Sequence, residues 1–249
     1  MENIGLVGLS RQIALQRELD VIANNLANLN TTGFKQDNLL FQEYLMPVAR
    51  EDSFQRGADR RLSFVWDRAT VPNMGQGAMQ QTGNALDVAL GSRGFFVVQT
   101  PEGERYTRNG SFEINAQGQL VTKQGHLVLG EGGPIAFEQT DVGITIGRDG
   151  AVSASGGLRG RLRIVTADGA GAFEKAGDNL FTLAQGAAAR PAELRDVRQG
   201  FIEKSNVEPV LALSRMIEVT RAYQSLASSL ERHDQLRREA IRSLGNATA

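Results

Sequence analysis

Two stretches of helical periodicity, one at each end of the chain, enclose a glycine-punctuated region of period two, and that order limits the fold more than any other feature. Near the start, Leu15, Leu19, Ile22, Leu26 and Leu29 recur at spacings of four and three, so a helix places all five on one stripe in a coiled-coil-like register. Arg17, Asp20, Asn24 and Asn28 fall on the opposite side. Thr31-Thr32-Gly33 then joins β-branched residues to a glycine able to take the left-handed conformation that ends helices, which predicts a stop between Leu29 and Thr32. The other end mirrors this from Asn206 to Leu244. Ala212, Met216, Val219, Tyr223, Leu226 and Leu230 repeat the spacing, and Ala240 and Leu244 resume it after His233 and Arg237 interrupt it. Leu213, Ile217 and Ile241 widen the apolar face. Ser205-Asn206-Val207-Glu208-Pro209 offers a capping-box pattern and a proline tolerable only in a first turn.

From Thr82 to Lys204 the apolar period changes to two and glycines become frequent, which predicts short strands joined by tight turns. Asn109-Gly110, between Arg105-Tyr106-Thr107-Arg108 and Ser111-Phe112-Glu113-Ile114, reads as the two-residue type I′ turn of a hairpin, because that turn needs positive φ at both positions. The expected class is α+β: discontinuous N- and C-terminal α-helices forming a coiled-coil-like pair, flanking a central β-rich domain of short antiparallel strands. The expected boundaries are 1–33 with 206–249 for the helices, 34–81 for an extended connector and 82–205 for the β domain. Within the connector, Asp37 to Met46 could continue as helix.

Composition narrows the function by exclusion. With 27 basic and 28 acidic residues the chain has no global field to attract a polyanion, so nucleic acid is not an expected partner. The longest apolar cluster, Gly94-Phe95-Phe96-Val97-Val98, has strand length, so no direct membrane span is expected, and the opening Met1-Glu2-Asn3-Ile4 lacks the pattern of a cleaved signal. Cysteine is absent, and His126 and His233 lie in differently patterned regions, so no metal site or cofactor is implied. Glu102, Glu104, Glu113 and Asp87 read as surface charges. Neither a nucleophile elbow, a phosphate loop nor a His-Glu-x-x-His helix is present, so no catalytic residue is assigned. The basic residues Arg232, Arg237, Arg238 and Arg242 are diluted by Glu231, Asp234 and Glu239, which favours a solvated helix face over a membrane-surface one.

The terminal stripes need a partner. Five buried leucine or isoleucine side chains contribute on the order of 10 kcal/mol gross, whereas fixing about 20 residues costs roughly 1–2 kcal/mol each before hydrogen bonds offset it. An isolated terminal helix is therefore marginal. Pairing of first with last helix and then with other copies supplies the missing burial; the alternative is an intramolecular two-helix hairpin packed on the β domain. The candidate subunit-interface residues are Leu15, Leu19, Ile22, Asn25, Leu26, Asn28, Leu29, Met216, Val219, Tyr223, Leu226 and Leu230. Asn24, Asn25, Asn28 and Asn30 crowd a helix end that asparagine does not favour, either to bond across an interface or as a solvated, fraying face.

Three segments carry a family likeness. Ala23-Asn24-Asn25-Leu26-Ala27-Asn28-Leu29-Asn30-Thr31-Thr32-Gly33-Phe34-Lys35 resembles the N-terminal signature of the flagellar basal-body rod protein family, the rod and hook axial proteins. Thr82-Gly83-Asn84-Ala85-Leu86-Asp87-Val88-Ala89-Leu90, with Gly94-Phe95-Phe96 and Tyr106-Thr107-Arg108-Asn109-Gly110-Ser111-Phe112, resembles their β-domain motif, and Gly200-Phe201-Ile202-Glu203-Lys204-Ser205-Asn206-Val207 their C-terminal signature. Chain length fits a proximal- or distal-rod subunit, and the opening Leu9-Ser10-Arg11-Gln12 with Phe41-Gln42-Glu43-Tyr44-Leu45-Met46-Pro47 looks most like the proximal type. The resemblance implies a non-enzymatic building block that reaches the periplasmic rod of the flagellar basal body through the flagellar type III export apparatus. It implies as partners copies of the chain and the homologous proximal- and distal-rod proteins, with terminal helices that order on assembly and a shaft that transmits torque.

Overall fold

A computed structural model describes residues 2–46, 62–169 and 171–246. The fold divides into two compact units: described residues within Met1–Leu26, Asp37–Thr70 and Pro209–Ala249 form one, and those within Ala27–Gln36 and Val71–Glu208 the other.

The first unit holds both long helices, α1 (Glu2–Ala27) and α2 (Pro209–Asn246), and a pair of strands, β1 (Asp37–Met46) and β2 (Leu62–Pro72). Pro209 opens α2, as a residue with no N–H to leave unsatisfied and a preset φ should. The capping box does not form: Ser205 Oγ accepts the Val207 N–H at 3.3 Å, and the Asn206 side chain is engaged elsewhere. Asp37 to Met46 is strand and not a continuation of helix. The reason lies at its first residue, where the Asn25 side chain accepts the Asp37 N–H at 2.8 Å and donates to the Asp37 carbonyl at 2.9 Å. That two-point bond takes up both backbone groups of Asp37 as a neighbouring strand would, and β2 then supplies a pairing partner.

The second unit is β-rich. Strands β3 (Met79–Gln81), β4 (Val88–Leu90), β5 (Phe95–Thr100), β6 (Gly103–Thr107), β7 (Phe112–Ile114), β8 (Leu120–Thr122) and β9 (Leu127–Gly130) precede further short strands to Phe201–Glu203. Among the described residues the main sheet has ten strands: seven run Phe173–Gly177, Leu180–Leu183, β6, β5, β9, β8, β7, Gly133–Pro134 pairs with β9, Ile164–Ala167 pairs with β5, and Ala189–Pro191 pairs with Ile164–Ala167, with every pairing antiparallel. Its centre is β5, where Phe95-Phe96-Val97-Val98 is buried at all four positions. A continuous apolar run in a strand means both faces are covered. Phe96 and Val98 face a cluster with Phe112, Leu120, Val128 and Ile164, and Phe95 and Val97 face a second with Tyr106, Val165, Phe173 and Phe181. Phe95 stacks tilted on Phe173 at 4.3 Å between centroids and Phe96 meets Phe112 edge-on at 5.2 Å, which fixes the packing on each side.

The predicted hairpin at Asn109-Gly110 is corrected. Neither residue has positive φ, and β6 pairs with β5 and Leu180–Leu183 whereas β7 pairs with β8. A local turn signature cannot report which strand lies next door. The type I′ turn sits instead at Asp178-Asn179, with φ of 47° and 60° and Gly177 opposite Leu180. Gly110 serves close approach: its carbonyl accepts the Val88 N–H at 2.8 Å, and a Cβ there would collide with the Val88 carbonyl oxygen. Gly110→Ala and Gly110→Asn are therefore both expected to lower stability by about 1–3 kcal/mol in denaturant titration. A hairpin turn would have accepted asparagine, so tolerance of Gly110→Asn would contradict this packing.

Candidate assembly helices and a buried charge cluster

Helices α1 and α2 touch along an antiparallel seam. A Cβ on Gly8 would stand 2.6 Å from Leu230 Cδ2, Gln12 Nε2 donates to Tyr223 Oη at 3.1 Å, and Arg215 Nε reaches Glu18 Oε1 at 2.7 Å. The seam is shallow. Of the predicted interface residues only Ile22, Asn25 and Val219 are buried; Leu15, Leu19, Leu26, Met216, Tyr223, Leu226 and Leu230 are half-buried. Among the described side chains of α2, Val219 is the one buried position. Asn28 and Leu29 are half-buried in the turn beyond Ala27, so they are not on the helix. Asn25 holds Asp37, and its amide is therefore spent within the chain. A second apolar row stays uncovered: Leu9 and Ile13 on α1, and Val210, Leu213 and Ile217 on α2, are 46 to 74% exposed.

In the β-rich unit, three charged side chains from distant parts of the sequence meet. Lys35, Glu203 and Arg108 are 1%, 1% and 4% exposed. Lys35 Nζ lies 2.6 Å from Glu203 Oε1 and donates to the Gly75 carbonyl at 2.7 Å. Glu203 Oε1 also accepts the Gly77 N–H at 2.9 Å. Arg108 Nε stands 3.0 Å from Glu203 Oε2 as an ion pair that lacks the alignment of a hydrogen bond, and its Nη1 donates to the carbonyls of Ser92 and Gly94 at 2.9 and 2.7 Å. Burial pulls the Lys35 ammonium below its ordinary value despite Glu203, and it pulls Arg108 down in the same sense. Two cations share one carboxylate, and backbone carbonyls accept from Lys35 Nζ and Arg108 Nη1.

Hydrogen bonds extend the cluster along the backbone. Gly33 N–H donates to the Glu203 carbonyl at 2.7 Å, Gln36 N–H to Asn206 Oδ1 at 2.7 Å and Asn73 N–H to the Gln36 carbonyl at 2.7 Å, while Asn206 Nδ2 donates to the carbonyls of Asn73 and Gly75. Lys35, Arg108 and Glu203 each belong to one of the three signature segments, so motifs far apart in sequence complete a single site. Sequence reading missed them as a site. The available signal was the presence of one or two charges inside each of three motifs otherwise made of apolar and small polar residues, and nothing in spacing pairs such charges.

Three of the four carboxylates singled out in the sequence have structural partners, and Glu113 is exposed on β7. Glu102 pairs with Arg105 at 3.0 Å and Glu104 with Arg163 at 2.8 Å. Asp87, expected at the surface, is buried and accepts the Ser111 hydroxyl at 3.0 Å, because its backbone sits between β4 and residues 111 and 200. No helix among the described residues is long and apolar enough to cross a membrane.

Comparison with known proteins places these elements in a family. The chain is 41% identical to the flagellar basal-body rod protein FlgF of Caulobacter vibrioides over 247 residues, covering 98% of this chain and 99% of that one. The chain belongs to the flagellar basal-body rod protein family. The FlgF of Mesorhizobium japonicum is 33% identical with 99% of each covered, and the FlgG rod protein of Caulobacter vibrioides is 32% identical with 91% of this chain and 94% of that one covered. Family models match in three places: flagella basal body rod protein at residues 6–35, flagellar hook protein FlgE/F/G D1 domain at 89–154, and flagellar basal body rod FlgEFG protein C-terminal at 198–243. Each match contains one member of the buried rod-protein charge cluster.

Glu203 is the anion on which both cations depend. Glu203→Gln is expected to cost about 3–5 kcal/mol, since it leaves two buried cations without a counter-charge. Lys35→Met keeps the Arg108–Glu203 pair and the volume, and is expected within about 1.5 kcal/mol of the natural chain. Equal losses in urea titrations of the two variants would contradict this asymmetry.

Proposed function

We propose that this chain is a structural subunit of the bacterial flagellar basal-body rod, of the FlgF type, that joins copies of itself and homologous rod subunits through the uncovered faces of α1 and α2. The observation that carries the assembly step is the 38-residue helix α2 with a single buried position among its described side chains. Leaving Leu9, Ile13, Val210, Leu213 and Ile217 in water forgoes roughly 1.5–3 kcal/mol for each side chain that full burial would stabilise. A helix of this kind persists when something covers it.

Helix lengths support the same reading. Gly8 faces Leu230, so Glu2, six residues back, falls near Leu236, and roughly the last ten residues of α2 extend about 15 Å past α1. Repetition of a heterologous contact by a rotation that does not close gives a helical tube. Such a tube, lined by axial helices, is the periplasmic drive shaft of the flagellum and carries torque. Its subunits travel through the flagellar type III export apparatus as unfolded chains, which suits helices too shallowly buried to be strongly stable alone.

The role is non-enzymatic. Supporting this, Glu102 and Glu104 are tied to arginines and Asp87 to a serine hydroxyl, and the relatives are named as rod proteins. The distal-rod alternative is less well supported: within one organism the identity to FlgF is 41% and to FlgG 32%.

The absence of cysteine permits a direct test. Single cysteines at Ile13 or Ile217 are expected to crosslink neighbouring subunits in isolated basal bodies, and Ile217→Asp to abolish incorporation and swimming while the β-rich unit stays folded. Absence of an intersubunit crosslink from every exposed apolar position, with Ile217→Asp still motile, would reject assembly through these faces.

A further inference from the structure

We infer that residues 32–36 are a folding gate for the β-rich unit: a docked segment of the chain's own N-terminal region without which that unit does not reach native stability. The segment touches four separate stretches. The Thr32 carbonyl accepts Asn179 Nδ2 at 2.7 Å, from the turn between Phe173–Gly177 and Leu180–Leu183. Gly33, at φ +70°, presses on the backbone of Arg108 so closely that a Cβ would lie 2.5 Å from its carbonyl carbon. Phe34 is buried beneath Lys175, whose Nζ lies 4.0 Å from the ring centroid. Lys35 enters the carboxylate and carbonyl socket of Glu203 and Gly75, and Gln36 bonds Asn206 and Asn73.

This is the geometry of a bound peptide. The chain turns at residues 32–33, where the Phe34 N–H closes on the Thr31 carbonyl at 3.2 Å, and then places Phe34 in a buried position and the Lys35 ammonium in a socket, with backbone groups of Thr32, Gly33 and Gln36 bonded to the surrounding stretches. The socket is assembled from residues 75, 108 and 203. Lys35 and Glu203 are 168 positions apart, so the β-rich unit closes only when both have arrived. Occupancy by this segment couples the strand Phe201–Glu203, which pairs with β3, to the Asp178-Asn179 hairpin. Undocking should therefore loosen the unit as a whole. On the reading that the chain is exported unfolded, the gate keeps it from folding until its full length is available.

The gate is tested on the full-length purified chain, whatever its role in a rod. Gly33→Val places a branched side chain against the Arg108 backbone and in an unfavourable φ, so it opposes docking while keeping every charged side chain of the socket. Amide exchange across β5, β6, β9 and Leu180–Leu183 is expected to accelerate by a common factor of about ten- to a hundred-fold. Adding a millimolar synthetic peptide of natural residues 27–36 is expected to restore protection, and the same peptide with Lys35→Glu is not. If Gly33→Val prevents folding outright, Phe34→Leu supplies the milder variant for the same measurements. Faster exchange confined to residues 33–36, 73–77 and 203–206, or no rescue by the natural peptide, would overturn the gate and leave the rod assignment untouched.

Discussion

Glu203 is the constraint around which the β-rich unit is organised. A carboxylate almost wholly out of water is tolerable only with counter-charge and donors in place, and here it holds Lys35 at 2.6 Å, Arg108 at 3.0 Å and the Gly77 N–H at 2.9 Å. Its own backbone carbonyl holds Gly33, and its strand pairs with β3. Five stretches of chain, around residues 33–36, 75–77, 92–94, 108 and 203–206, are thus tied to one another by groups that lose heavily if separated. An apolar core would also hold them, but with less directional specificity.

The chain divides its stability between two kinds of burial. In the β-rich unit β5 is covered on both faces, aromatic rings fix the packing, and the charge cluster is buried. In the helical unit the seam is half-wet, a second apolar row is uncovered, and α2 outruns α1. A building block benefits from that division. The β-rich unit carries its own buried core, and the helical unit retains apolar surface that, on the proposed function, is buried by neighbouring subunits.

Much of this was legible in the amino-acid sequence because periodicity is a local property. The stripe from Leu15 to Leu29 predicted a helix that stops between Leu29 and Thr32, and α1 forms but ends at Ala27; Pro209 lies in the first turn of α2 as expected, and the run Phe95 to Val98 has strand length and is strand. What escaped depends on partners remote in sequence. Asn109-Gly110 has the composition of a hairpin turn, yet its neighbours come from elsewhere and Gly110 is needed for Val88. Gly33 was expected to stop a helix, but it lies six residues past Ala27 and its positive φ admits the Arg108 backbone. Asn25 was expected at an interface and instead forms the start of β1. Lys35, Arg108 and Glu203 were visible as letters within motifs, and only the fold brings them together.

Amide hydrogen exchange, followed on the dilute purified chain and again on rods that contain it, addresses the division of stability most directly. In the dilute chain the amides of α1 and α2 should exchange at least on the order of a hundred-fold faster than those of Val97, Val98 and Val128, and in the rod they should slow to match them. Helices as strongly protected as β5 in the dilute chain, and unchanged on assembly, would mean that their apolar faces require no neighbour, and the account of how this subunit builds a shaft would be wrong.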